Sequence, residues 1–262
     1  MKKKLLLLLT FLMFGCKNDL EKKVEYYPNG KVYREYFVNS KNEYEGEFTQ
    51  FNEDGTYFKK GYIKNDKFID SVIFFEENKI SCIEYKKDSD TVFLKYFDNE
   101  KIHSSGYELN NIKIGKWSFY KDNKISNVIQ YIDLCGTEYL NQGWFYDNNG
   151  DLDLKKSHFI EILDLKKTYK INEPIKFKMK YNSLWKNNSF SIAEFHTKVD
   201  NNFCNLKKIK KDALLSKEHV FVFSISFAEK GKKNIRGVIG EVLEKNDNKV
   251  RELFFDIPIE IN

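Results

Sequence analysis

The sequence predicts an all-β protein, an antiparallel hairpin-repeat ribbon followed by a β-sandwich. Three observations carry that expectation. Tight-turn residues recur at near-regular spacing through the first half. One segment repeats itself forty-five residues later. Beyond Asp153 the pattern changes to rows of large apolar residues at every second position, and no long helical period occurs there.

The elements follow in chain order. Met1-Lys2-Lys3-Lys4 is a cationic start, Leu5 to Phe14 is apolar, and Gly15-Cys16 closes the stretch. An apolar run of about ten residues falls short of the roughly twenty a bilayer span needs, so residues 1–15 read as a signal peptide. Met13-Phe14-Gly15-Cys16 resembles a lipobox, the processing signal of bacterial lipoproteins. Gly15 and Cys16 match it, while Met13 stands where leucine is usual and Phe14 where a small residue is commoner. The resemblance implies that the Cys16 thiol carries a diacylglycerol, becomes the mature N-terminus and holds the chain to a membrane of the cell envelope. Residues 16–23 then form a polar tether. Lys17 occupies the place where aspartate resembles an inner-membrane retention signal, which favours the outer membrane.

Cleavage also changes the charge argument. The formal net charge of +5 includes Lys2, Lys3 and Lys4, and residues 1–15 hold no acid, so the processed chain carries +2. Nucleic acid wants a clustered basic face, and the densest basic run, Lys207-Lys208-Ile209-Lys210-Lys211, is closed by Asp212 and reads as a solvated loop. Cys82, Cys135 and Cys204 remain beside Cys16. An oxidising compartment would allow one disulfide whose partners the spacing does not give, with buried free thiols as the default reading.

The repeat region covers residues 24–152. Gly61, Tyr62, Asn65, Ile69, Phe74, Asn78, Lys79, Ile80 and Ser81 recur without a gap as Gly106, Tyr107, Asn110, Ile114, Phe119, Asn123, Lys124, Ile125 and Ser126. This period contains two units. A turn slot stands at Gly30, Gly55, Asn78, Glu100, Asn123 and Gly150, with an aromatic residue four places before each. Gly and Asn tolerate positive φ, as hairpin turns demand, and Asn29-Gly30, Asp54-Gly55 and Asn149-Gly150 are strong hairpin signals. Glu100 fits worst, so a looser turn is expected there. Six units of two strands give twelve strands. Gly115-Lys116-Trp117-Ser118-Phe119-Tyr120-Lys121-Asp122-Asn123-Lys124 and Tyr26-Tyr27-Pro28-Asn29-Gly30-Lys31 resemble a MORN-repeat variant, echoed at Gly46-Glu47-Phe48 and Gly143-Trp144-Phe145. The resemblance implies the hairpin ribbon. It also brings two associations, with membrane lipids and with proteins called antitoxins; a cytosolic antitoxin conflicts with Lys2 to Cys16.

The last region, 157–262, has Ile175, Phe177, Met179 and Tyr181 alternating with Lys176, Lys178 and Lys180. Phe221, Phe223, Ile225 and Phe227 form a second row, and Leu253, Phe255, Ile257, Ile259 and Ile261 a third. With strands near 158–165, 189–198 and 233–243 this is the size and spacing of an Ig-like sandwich. Tyr169-Lys170-Ile171-Asn172-Glu173-Pro174-Ile175 resembles the opening of bacterial Ig-like modules.

No catalytic, metal or cofactor constellation stands out. His103, His158, His196 and His219 are dispersed. Asp147-Asn148-Asn149-Gly150-Asp151-Leu152-Asp153 spaces oxygen ligands on alternate residues, but the glycine is out of place for a calcium loop and His158 holds the closing position. Aromatic residues make up 16% of the chain, enough for two rows on the repeat sheet. Trp117, Phe119, Trp144 and Tyr146 form one expected row. Tyr27, Phe75, Phe97 and Tyr120, each one residue beyond an anchor aromatic, form the other and should face the opposite way. That second row is the expected contact surface for a protein, glycan or lipid partner. The expected function is a non-enzymatic, membrane-tethered binding or scaffold protein of the cell envelope, without cofactor or nucleic acid; an antitoxin-like protein or an envelope enzyme is the alternative.

Overall fold

The computed structural model describes residues 20–185, 188–210, 212–243 and 246–262. The expected signal peptide and Cys16 lie outside them. The described residues are all-β, without an α-helix. Eleven strands form one antiparallel sheet in chain order: β1 (Glu21–Tyr26), β2 (Val32–Val38), β3 (Tyr44–Phe51), β4 (Tyr57–Lys64), β5 (Lys67–Glu76), β6 (Lys79–Lys86), β7 (Thr91–Asp98), β8 (Lys101–Leu109), β9 (Ile112–Lys121), β10 (Lys124–Leu134) and β11 (Thr137–Phe145). The twelfth expected strand shrinks to one bridge, Tyr146 to Leu152. The edge of β11 is already occupied there. Asp153 N donates to Phe145 O, Ser157 Oγ accepts from Phe145 N, and Gly143 and His158 exchange two backbone bonds.

Turn chemistry sets the strand order. All six slot residues have positive φ, from Asn123 at 61° to Gly55 at 93°. They belong to two loop classes. In Asn65-Asp66, Glu77-Asn78, Asn99-Glu100, Asn110-Asn111, Asp122-Asn123 and Cys135-Gly136 both residues have positive φ, the two-residue turn whose twist suits a hairpin. The glycine slots differ. Gly30 N donates to Tyr27 O, Gly55 N to Asn52 O and Gly150 N to Asp147 O, each closing a three-residue loop. Asn42 closes a fourth such loop on Asn39. The looser turn expected at Glu100 is not found. Asp98 pairs with Lys101, leaving Asn99 at φ 46° and Glu100 at φ 64° in a two-residue turn. Ladder register on both sides overrides the poor fit of a glutamate.

The chain divides into two compact units, the first ending at Asn78 and the second running from Lys79 to Asn262. The change of pattern near Asp153 therefore falls inside the second unit. In that unit the repeat strands lead into two further sheets, built from β12 (Ile160–Leu163), β13 (Thr168–Tyr169), β14 (Ile175–Tyr181), β15 (Ser189–His196), β16 (Asp212–Ser216), β17 (Val220–Ile225), β18 (Gly231–Leu243) and β19 (Asn246–Ile261). One sheet is β12-β14-β17 and the other β13-β19-β18-β15-β16. They enclose one core. Ile175, Phe177, Met179, Tyr181, Phe221 and Phe223 enter from the first, and Ile235, Ile239, Leu253, Phe255, Ile257, Ile259 and Ile261 from the second. The three apolar rows expected from alternation form this core, with Ile225 and Phe227 at its margin.

A left-handed residue with a side chain costs about 1–2 kcal/mol relative to glycine. Replacing Glu100 by Gly should therefore stabilise the fold by about 1 kcal/mol in urea unfolding, whereas Gly55→Ala should destabilise it by a similar amount. Loss of stability in Glu100→Gly would mean the turn does not hold this conformation.

Candidate functional site

The first unit has aromatic clusters on both faces of its sheet. Phe51 packs on Tyr57 at 5.3 Å between ring centroids, and Tyr57 on Phe75 at 5.5 Å. The Lys60 ammonium lies 3.5 Å from the Tyr57 centroid. Phe74 meets Phe58, and Phe48 meets Phe68. The Lys59 ammonium reaches Phe48, Phe58 and Phe68. Phe51 and Phe74, equivalent in the repeat, thus enter different clusters. The register is the cause: Lys59 pairs with both Gln50 and Phe74, which puts Phe74 one residue out of phase with Phe51, and one residue of slip changes the face.

Of the expected contact residues, Tyr27 donates its hydroxyl to Phe51 O at 2.8 Å and packs on Tyr33. Tyr27, Phe75, Phe97 and Tyr120 are all half-buried, whereas Tyr26 in the anchor row is 63% exposed. In the second unit the register brings Phe97 and Tyr120 to one face. Lys95, two residues before Phe97, pairs with Ser105, whose hydroxyl is 3.4 Å from that of Tyr120.

Trp117 takes the other face, with Tyr96 stacked 6.1 Å away. It is wholly buried, lies over Gly106, where any Cβ would collide with the indole, and donates Nε1–H to Tyr107 O at 3.0 Å. Trp144 does not join it. Ile129 pairs with both Trp117 and Gly143, while Val128 pairs with both Ser118 and Trp144. Trp144 therefore shares the face of Ser118 and Tyr120, contrary to the expected rows. It is sandwiched between Phe159, stacked at 5.8 Å, and the Lys116 ammonium at 4.3 Å.

Trp144 marks where the repeat strands meet the C-terminal sheets. The β10–β11 ladder slips between Gln130 and Tyr131, pairing Gln130 with Gln142 and Tyr131 with Leu140 and leaving Asn141 as a bulge. Bulges re-aim side chains. Here the Asn141 amide, 2% exposed, accepts from Phe254 N at 2.7 Å and donates to Phe254 O at 2.8 Å and to Gln130 Oε1 at 3.1 Å. Gln142 accepts from Ile160 N, and the Tyr139 hydroxyl donates to Glu252 O. Val199, Phe203, Leu206, Val238 and Phe254 form a second buried cluster, against which Ile132, Leu134 and Tyr139 pack. A disulfide joins Cys135, in the last hairpin turn, to Cys204, 69 residues on, with Cα atoms 5.1 Å apart. The reading of free buried thiols is thereby corrected. Cys82 remains a free thiol, and burial pushes it up to about 11, so it stays protonated at neutral pH.

A cleft of about 540 Å³ opens along this seam, with Lys116, Gln130, Trp144, Ile160, Asn202 and Phe203 in its wall. The Asn141, Gln142 and Gln130 amides beside it already bond one another and the backbone. Two polar arrangements lie inside the C-terminal sheets. Glu241, fully buried, accepts from Tyr181 OH at 2.6 Å, Ser189 Oγ at 2.8 Å and Ser183 Oγ. Ser191 Oγ and His219 Nδ1 are 2.7 Å apart, a spacing that suits a nucleophile and base, but both side chains are buried. Sequence reasoning missed Glu241, although a carboxylate in phase with Ile235 and Ile239 is a signal. Burial lowers the pKa of His158, favouring its neutral form, and its ring packs on Phe145. Asp147 spends Oδ1 on the Asn149 and Asp151 amides in its turn.

Comparison with known proteins finds no matching family model, curated protein or solved structure.

Asn141 yields a direct test of the seam. Asn141→Ala strands Phe254 N and O in a buried place, where each unpaired group costs about 1–3 kcal/mol, so a loss of about 3 kcal/mol is expected in urea unfolding. Its neighbour Leu140, 48% exposed, should cost under about 1 kcal/mol as Leu140→Ala. Equal losses would remove Asn141 from the junction.

Proposed function

We propose that the chain is a bacterial cell-envelope lipoprotein, anchored through Cys16 with the outer membrane as its favoured location. In this reading it works as a non-enzymatic binding or scaffold protein for a protein, glycan or lipid partner. The repeat strands form a MORN-like sheet that supplies contact area, and the C-terminal sheets form an Ig-like sandwich. Tyr27, Phe75, Phe97 and Tyr120 are the contact residues.

One observation carries the binding reading. Among the described residues, none of the first unit belongs to either buried cluster, yet its sheet holds half-buried aromatic rings in two clusters, each crossed by a lysine. Rings left partly open to solvent beside a cation offer apolar area and a cation–π partner together, and aromatic residues are enriched at the cores of interfaces. The leader through Cys16 supports the location, and the Cys135–Cys204 bond is at home in an oxidising compartment.

Two measurements test this. Cys16→Ser should abolish labelling by a fatty-acid probe, and continued labelling would refute the anchor. For binding, the chain from residue 16 carrying Cys16→Ser should capture a partner from envelope extract. Phe75→Ser should weaken that capture at least tenfold, at a stability cost of about 1–2 kcal/mol because the ring is half-buried. Capture unchanged by Ser at Tyr27, Phe75, Phe97 and Tyr120 would exclude the row as the contact surface.

A further inference from the structure

Strand β14 runs through the middle of the three-stranded sheet. Ile175, Phe177, Met179 and Tyr181 are turned into the core and virtually inaccessible to solvent. That inner row locks the phase of the strand, so Lys176, Lys178 and Lys180 are held in line on the outer face. Their lateral neighbours are not acidic on one side. Lys176 pairs with Ser224, Lys178 with Val222 and Lys180 with Val220, and Val222 and Val220 are 63% and 38% exposed. On the other side Lys178 pairs with Leu163, also exposed, and Lys180 with Glu161. Among the described residues none of the three lysines forms an ion pair.

We propose that this outer face lies against an acidic phospholipid surface, with headgroup phosphates facing the lysine row and Val220, Val222 and Leu163 resting at the interface. A discrete ligand wants a concave site, whereas these residues stand on the face of a sheet. Lysine stems can lie along apolar neighbours while the ammonium reaches outward, so the row and its valines meet a headgroup layer as one surface. Each lysine close to an acidic leaflet contributes roughly fivefold in affinity, so the row contributes on the order of a hundredfold. That is enough to orient a tethered protein and too little to hold an untethered one tightly. The inference rests on the envelope reading for its setting, because the anchor is what brings a membrane near, but its test leaves the anchor out.

The test uses the chain from residue 16 carrying Cys16→Ser, sedimented at low salt with vesicles of phosphatidylcholine alone or with about one part in three phosphatidylglycerol. Binding is expected to the acidic vesicles and to fall as salt is raised. The triple variant Lys176→Glu, Lys178→Glu, Lys180→Glu should lose at least roughly a hundredfold. The milder Lys176→Gln, Lys178→Gln, Lys180→Gln, which removes the charge and leaves the core row untouched, should lose roughly a hundredfold. A control of equal charge change on exposed hairpin lysines, Lys101→Glu, Lys121→Glu, Lys124→Glu, should stay within about threefold. Equal loss in the control, no binding by the parent chain, or binding to soluble polyphosphate without binding to vesicles would each overturn the proposal. Labelling of Cys16 in the lipidated chain reads the anchor separately, so failure here leaves that reading standing.

Discussion

Between Gln130 and Tyr131 the ladder of β10 and β11 slips by one residue, and the joining of the repeat strands to the C-terminal sheets depends on that slip. Without it, Asn141 would be an ordinary ladder residue. With it, the side-chain amide bonds Phe254 through both its N–H and its carbonyl, as a neighbouring strand would. Buried backbone groups must find partners, and here one side chain supplies them. The Val199, Phe203, Leu206, Val238 and Phe254 cluster adds apolar burial around the same contact. The Cys135–Cys204 bond closes a 69-residue loop, worth about 4 kcal/mol on a chain-entropy estimate. Bulge, cluster and disulfide act on one hairpin, so β10–β11 belongs as much to the C-terminal core as to the repeat sheet.

The strands and turns were legible in the sequence because their signals are local. Turn slots need positive φ, and Gly and Asn announce it. Core strands need alternation, and Ile175 through Tyr181 display it. Face assignment is different, since it requires counting residues across every loop. Asn29-Gly30 and Asp54-Gly55 read like two-residue turns yet close three-residue loops, and a one-residue slip accompanies each, between Glu25 and Tyr26 and between Gln50 and Phe51. Phe74 pairs through Lys59 with Gln50 and so stands out of phase with Phe51, and the slip at Asn141 puts Trp144 on the face away from Trp117. The seam was less legible still. Asn141, Phe254, Cys135 and Cys204 are distant in the chain, and no local pattern joins them.

The polar interior bears on function. Glu241 rests among three hydroxyls, and Ser191 faces His219, both beneath the surface of the C-terminal sheets. Hydrogen bonds of this kind satisfy buried polar groups and fix side-chain positions. On the sheet faces, lysine ammonium groups lie beside aromatic rings, an arrangement that supports the proposed binding role.

The central claim is that the last repeat hairpin and the C-terminal sheets open as one body. Native-state hydrogen exchange with the disulfide intact tests it directly, by comparing backbone amides of β10 and β11 with those of β18 and β19. The account predicts that the slowest amides of both pairs exchange through one opening event, with the same free energy and the same dependence on denaturant. Exchange from β10 and β11 at a markedly lower free energy, while β18 and β19 stay protected, would contradict it.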